Sequence, residues 1–260
     1  MPDHVSRRTF LGAALAAAAL NSRAAAGARA MDILDCHTHF YDSTRPQGVP
    51  WPAKSDSLLY RPVYPRHYQA LAGPLGITGT VVVEASAWVA DNDWVLGLAA
   101  ADPLIGGLVG HLEPGHPAFA VELERLAANP LFRGIRVSGS DVLSLSGRDQ
   151  ARDLERLAAR GLSLDVNGDV SSLPAVAAVA GAVPQLRIVI NHVANVRIDG
   201  GPPPSAWLAG MDRAAGRANV FCKVSGLVEG TGRRDGKAPP DAAFYRPVLD
   251  AVWARFGEER

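Results

Sequence analysis

The sequence predicts an α/β barrel of the TIM type, with parallel strands inside and helices outside, and three observations carry that expectation. Seven short apolar runs rich in β-branched residues recur along the chain, helical patterns separate them, and the first run leads into Asp35-Cys36-His37-Thr38-His39. Strand and helix in repeated alternation mean parallel strands covered by helices, in either a barrel or an open sheet, and such folds collect their chemistry at the carboxyl ends of the strands. No glycine-rich nucleotide loop follows the first run, which disfavours the dinucleotide-binding version of the alternation.

The expected strands are 31–36, 80–83, 105–109, 134–137, 162–166, 187–190 and 220–224. Helical patterns cover 118–128 and 149–159, the second carrying Leu154 and Leu157 toward a core while its arginines and acids face water. Asn129-Pro130 and Arg160-Gly161 supply their stop signals. After the seventh strand comes a helical stretch, 244–256, with Val248, Leu249, Val252 and Trp253, and the sequence ends at Gly257-Glu258-Glu259-Arg260. A closed barrel needs eight strands, so the expectation is an incomplete barrel whose sequence continues beyond Arg260. The proline-rich segment 43–66, with Trp51, is expected to form an ordered lid over the barrel mouth, and 229–240 a second polar loop. Trp88 and Trp94 either floor a pocket or pack in the core.

Residues 1–30 have the parts of an export signal: basic Arg7 and Arg8, an alanine-rich apolar stretch, and small-residue exits. Ser6-Arg7-Arg8-Thr9-Phe10-Leu11 is similar to the twin-arginine signal, so the expected location is periplasmic or secreted, with residues 31–260 as one barrel domain. The apolar run is too short to span a bilayer, so no membrane attachment is expected once the leader is removed. Lys plus Arg equal Asp plus Glu at 26 each, and residues 31–260 retain 22 basic against 25 acidic groups. That balance excludes a general field for nucleic acid and leaves a small substrate as the expected partner; a homo-oligomer stays open.

His37 and His39 stand at i and i+2 of an extended segment, so both imidazoles share one face and can point at one ion or one substrate atom. His192 follows Ile188-Val189-Ile190-Asn191 and therefore stands at a strand end. Lys223 and Ser225 alternate with Cys222 and Val224, which puts the polar pair inside the barrel and the apolar pair against helices. A lysine there calls for a carboxylate partner or an acidic substrate. Cys36 and Cys222 read as buried thiols on the outer face, with a bridge between them left open. Glu84 and Asp165 occupy strand ends, where burial beside the histidines would give them orienting or proton-handling roles. His111 and His116 flank Glu113-Pro114 after the third strand, either as substrate contacts at the mouth or as solvated loop residues.

Several separated segments carry a family likeness: Ile33-Leu34-Asp35-Cys36-His37-Thr38-His39-Phe40, Gly76 to Glu84, Phe132-Arg133-Gly134-Ile135-Arg136, Val189-Ile190-Asn191-His192, and Asn219 to Leu227. With these, the sequence resembles the amidohydrolase superfamily, and within it the lactone hydrolases that include sugar-acid lactonases and pyrone-dicarboxylate lactonase. The resemblance implies a reaction centre of His37, His39 and His192, and a metal-activated water that opens a small lactone, sugar-derived or acidic. It implies one divalent ion, zinc, on those three histidines, with a metal-free centre as the alternative. Strand four carries Ile135-Arg136-Val137 in place of a bridging lysine, which argues against two metals. The family's aspartate past strand eight lies beyond the end of this sequence. Arg136 is expected to bind a carboxylate or the developing oxyanion, against the plainer reading of a strand-end salt bridge. Glu84, Lys223 and His111 complete the expected substrate contacts. Two other readings stand beside lactone hydrolysis: a metal-dependent decarboxylase of an aromatic acid, with Asp35 near the histidines, and a binding-only or inactive barrel.

Overall fold

The computed structural model describes residues 33–260 except 146, 234 and 235; the expected leader lies outside the described residues. Seven parallel strands form one sheet in sequence order. They are β1 (Ile33–Thr38), β2 (Ile77–Val83), β3 (Ile105–Gly110), β4 (Phe132–Ser138), β5 (Ser163–Asn167), β6 (Arg187–Ile190) and β7 (Val220–Cys222). The connecting helices are α1 (Pro65–Ala72), α2 (Ala90–Ala101), α3 (Phe119–Ala127), α4 (Gly139–Ser144), α5 (Arg148–Ala159), α6 (Leu173–Ala182), α7 (Ser205–Ala215), α8 (Leu227–Gly230) and α9 (Arg246–Phe256). This is the open-barrel form of the expected architecture, with β1 and β7 as its edges.

Strand register explains how the two faces divide their work. Ile135 pairs with Leu164, Leu164 with Ile188 and Ile188 with Val220, so four apolar side chains line up across the sheet, each fully buried against the helical layer. One residue further along, Arg136 pairs with Asp165 and Asp165 with Val189, a row that faces inward and carries charge. A two-residue side-chain period forces this segregation: a slip of one residue would put the charges under the helices. The helices answer with matching apolar stripes. Leu123 and Leu126 of α3, Leu154 and Leu157 of α5, and Trp207 and Met211 of α7 are all within 1% of complete burial. Each such side chain contributes roughly 1.5–3 kcal/mol of transfer free energy.

The sheet edges change three expectations. Cys36 is exposed and Cys222 half-buried, and both thiols are free, so the buried outward pair and the bridge are not formed. β1 is irregular between Asp35 and Thr38: Asp35 reaches outward to Tyr68 of α1, so Leu34 and Cys36 turn to the open inner face of the sheet, where Leu34 is 57% exposed. Val224 is 55% exposed because β7 ends at Cys222, two residues short of the expected boundary. The Cys222 N–H donates instead to the Arg260 carbonyl at 2.8 Å.

Candidate active site

His37 and His39 leave the carboxyl end of β1 on one face, and His192 leaves the end of β6 to meet them. The His37 ring lies 5.1 Å from that of His39 and 4.3 Å from that of His192, centroid to centroid. The sheet thus brings together the three histidines that the sequence singled out. His39 Nδ1 donates to the Val83 carbonyl at 2.8 Å, which fixes its proton there and leaves Nε2 with a free lone pair. His192 Nδ1 is 2.8 Å from Ser225 Oγ. Both ring nitrogens of His37 are buried without a hydrogen-bond partner.

Burial sets the charge state of the cluster. It pushes His37 down to about 2, helped by the neighbouring His39, and His39 down to about 4, helped by Arg136. His192 is lowered by burial and then by Arg136. Neutral imidazoles with unclaimed nitrogens are the form that binds a divalent ion, and a backbone carbonyl on the far nitrogen is the usual orienting contact. The donor chemistry therefore fits such an ion, although among the described residues no three histidine, cysteine or carboxylate groups are drawn together as a finished cage.

These proton affinities make stability fall toward acid. The unfolded chain takes up protons on its histidines as pH drops through 6.5, whereas folded His39 waits until about 4 and folded His37 until about 2. More protons on the unfolded state mean lost stability, from just above 6.5 downward. In chelator-treated protein the urea midpoint is expected to be lower at pH 5 than at pH 7, and less so in His37→Asn; equal slopes in both proteins would contradict a neutral His37.

Beneath the histidines the inward row is tightly paired. Lys223 Nζ stands 2.6 Å from Asp165 Oδ2, with Asp165 1% and Lys223 11% exposed, and Asn191 Nδ2 donates to the same oxygen at 3.0 Å. Lys223 thus has the carboxylate partner its burial demanded, within the protein. Arg136 Nε donates to Glu84 Oε1 at 2.8 Å and Nη2 to the Glu84 carbonyl at 2.7 Å, so the salt-bridge reading of Arg136 is realised. Nη1 of Arg136 and Oε2 of Glu84 have no protein partner among the described residues. Asp35 accepts from Tyr68 Oη at 2.7 Å and from the His37 N–H at 2.9 Å, which ties it to β1 and α1. His111 goes elsewhere: it lines a separate hollow with Glu113, His116 and Glu122, its backbone gripped by Asn92.

The segment 43–66 closes over this end of the sheet. Its base is the antiparallel bridge between Tyr41 and Val63, and Arg45 clasps Asp91 of α2 through two hydrogen bonds, at 2.9 and 3.0 Å. The Arg45 guanidinium also sits 5.0 Å from the Trp94 ring, so Trp94 joins this cleft while Trp88 does not. At the lid's centre Trp51 lies 5.4 Å from the His39 ring. Ser225, Asn191 and Trp51 were not among the expected site residues. A polar residue two positions after Lys223 and an asparagine just before His192 were visible signals, and the lid over the mouth was expected; that Trp51 is the lid residue that meets His39 had no signal in the sequence.

His192 begins a left-handed turn. His192, Val193, Ala194 and Asn195 have φ of 52°, 47°, 55° and 45°, four non-glycine residues in succession in the region that L side chains avoid. Each costs roughly 1–2 kcal/mol relative to right-handed backbone, so neighbouring contacts must hold the turn.

A parallel β/α sheet with three histidines clustered at its strand ends is the framework of a barrel enzyme of the TIM class. The chain belongs to the amidohydrolase family: that family's model matches residues 34–260. L-fucono-1,5-lactonase of Burkholderia ambifaria is 30% identical over 233 residues, covering 87% of this chain and 77% of that one. L-fucono-1,5-lactonase of Burkholderia multivorans is 27% identical over 240 residues, covering 87% and 79%. A zinc-bound crystal structure of an amidohydrolase from Burkholderia multivorans superposes with a TM-score of 0.74 at 25% identity, covering 88% of this chain and 82% of that one.

Proposed function

We propose that this chain hydrolyses a small lactone, sugar-derived or acidic, at the His37, His39 and His192 centre. The observation that carries the reading is the convergence of three neutral imidazoles beside the Arg136 and Glu84 pair, in a chain 30% identical to an L-fucono-1,5-lactonase. One divalent ion, zinc, is the cofactor assigned to those histidines; when bound, it polarises the lactone carbonyl and acidifies water. The depressed proton affinities suit the three rings as ligands rather than as proton acceptors.

The chain's own residues supply the rest. Arg136 offers Nη1 to the substrate oxygen that gains charge as the ring opens, while its bonds to Glu84 hold the guanidinium plane still. Oε2 of Glu84, the carboxylate oxygen left over from that pair, orients the attacking water, takes its proton as the new C–O bond forms, and returns it to the ring oxygen as the lactone C–O bond breaks. Lys223 keeps a positive charge beside the centre without competing for substrate, because Asp165 occupies its ammonium. Trp51 excludes water and offers an aromatic face to the lactone ring. The leader motif further assigns this chain to the periplasm by twin-arginine export.

The test is direct assay of the full chain with zinc on L-fucono-1,5-lactone and 2-pyrone-4,6-dicarboxylate, following acid release. Turnover of a lactone is expected. Turnover confined to amides or phosphoesters, or carbon dioxide released from an aromatic acid, would displace this reading in favour of another amidohydrolase chemistry. On the lactone that is turned over, Trp51→Ala is expected to raise KM roughly 3- to 10-fold with kcat little changed, the worth of one aromatic face. Trp51→Phe should restore most of it; a fall in kcat alone would place Trp51 outside the binding surface.

A further inference from the structure

We infer that the left-handed turn His192–Asn195 is a sprung mount for the His192 ring, and that Trp207 of α7 is the positioning residue that keeps it wound. The inference rests on the proposed role of His192 and extends it to a residue that touches neither substrate nor metal.

Four successive non-glycine residues at positive φ are held only where surroundings over-determine them. Three elements do so here. From α7, the Trp207 indole N–H donates to the Val193 carbonyl at 2.9 Å, and its ring is 1% exposed, so the bond is made away from water. From the end of β7, the Lys223 carbonyl accepts the Val193 N–H at 3.1 Å. From the end of β5, Asn167 Oδ1 and the Gly168 carbonyl each accept from Asn195 Nδ2 at 3.0 Å. The peptide unit after Val193 is thus tied to a rigid, buried anchor, one residue past the catalytic imidazole.

The space on the ring side is equally determined. Gly226 has φ of +65°, and a Cβ added there would fall 2.9 Å from His192 Cβ, so the backbone beside the ring leaves no room for any other residue. Ser225 next to it takes His192 Nδ1. The ring is therefore wedged between a glycine and a hydroxyl on one side while the turn behind it is pulled by Trp207. Core packing alone would ask only for Trp207's bulk; the mount needs its N–H.

Trp207→Phe removes the donor and keeps an aromatic ring, smaller by about three heavy atoms, so rescue by Ala194→Gly is what separates the lost bond from the lost bulk. It is expected to lower kcat about 10- to 100-fold with KM within about twofold, the range seen when a residue that orients a ligand is lost. The histidine ring 15N–1H correlations of the metal-free protein should show His192 shifted or broadened, with His39 unchanged. Ala194→Gly removes one methyl and makes the left-handed backbone unstrained at φ of 55°, so Trp207→Phe/Ala194→Gly should recover part of the lost kcat and sharpen the His192 signal. A folded Trp207→Phe protein with unaltered His192 resonances overturns the mount, whatever its activity. Loss of kcat that Ala194→Gly leaves unrelieved assigns Trp207 to packing and overturns it too. Because the ring spectra need no substrate, absence of lactone hydrolysis in the parent chain would strike the proposed function and leave this test intact.

Discussion

His37→Ala is expected to lower kcat/KM for the lactone by at least about a thousandfold, which is about 4 kcal/mol of transition-state stabilisation. His37 is the hub of the cluster: it is the ring within reach of both His39 and His192, and both of its nitrogens lack a protein partner. The same facts predict little change in the stability of the metal-free fold. Deleting the ring removes two buried polar atoms that make no hydrogen bond, and that relief offsets the packing lost around a small void. Steady-state kinetics with a melting curve on the same preparation check both halves. A variant that retains a tenth of the parent kcat/KM would move the reaction centre away from His37. His111→Ala is the companion control, since His111 lines a hollow of its own, and its kcat/KM is expected to stay within about twofold.

Much of this was legible in the sequence because the sheet is built from local signals. β6 coincides with the apolar run 187–190, and α5 starts within one residue of its expected place, since Leu154 and Leu157 mark its buried stripe and Gly161 its end at φ of +67°. The i, i+2 spacing of His37 and His39 and the strand-end place of His192 were enough to predict their meeting, because parallel strands in sequence order bring all carboxyl ends to one rim. What failed depended on neighbours that no window of sequence contains. Strict alternation with His37 puts Cys36 on the outer face, but the irregularity of β1 between Asp35 and Thr38 sends Asp35 out to Tyr68 and leaves Cys36 exposed on the inner face, in the field of Lys223 and Asp165. The partners of Arg136 and Lys223 were hidden in the same way: each meets an acid from another strand, 52 and 58 residues away in sequence, and only the register that sets Arg136 beside Asp165 shows how the four charges share the inner face. Helix α7 hides its meaning in the same way: Trp207 looks like any core aromatic until Val193 is found at its indole nitrogen.

Asp165→Ala is expected to be the most destabilising single change in the site, by about 3–5 kcal/mol, the cost of leaving a buried charge unpaired. Asp165 is 1% exposed and receives both the Lys223 ammonium and the Asn191 amide, so its loss strands two polar groups at once. In a chain of this size that corresponds to a fall in Tm of about 10 °C or more. Lys223→Met should be milder, because the carboxylate left behind keeps the Asn191 amide and the Ser163 hydroxyl as donors, whereas Asp165→Ala takes away the carboxylate that holds the Lys223 ammonium. The double replacement Asp165→Leu/Lys223→Met removes both charges and fills the space with apolar volume, and should recover most of the stability lost in Asp165→Ala. Recovery should stop short of complete, since the Asn191 amide remains buried without its acceptor. Urea unfolding of the parent, both single variants and the double closes the cycle. A coupling free energy near zero would mean that the pair is solvated and that Lys223 is free to meet substrate after all; a large one fixes Asp165 and Lys223 as the charged floor on which the histidine centre stands.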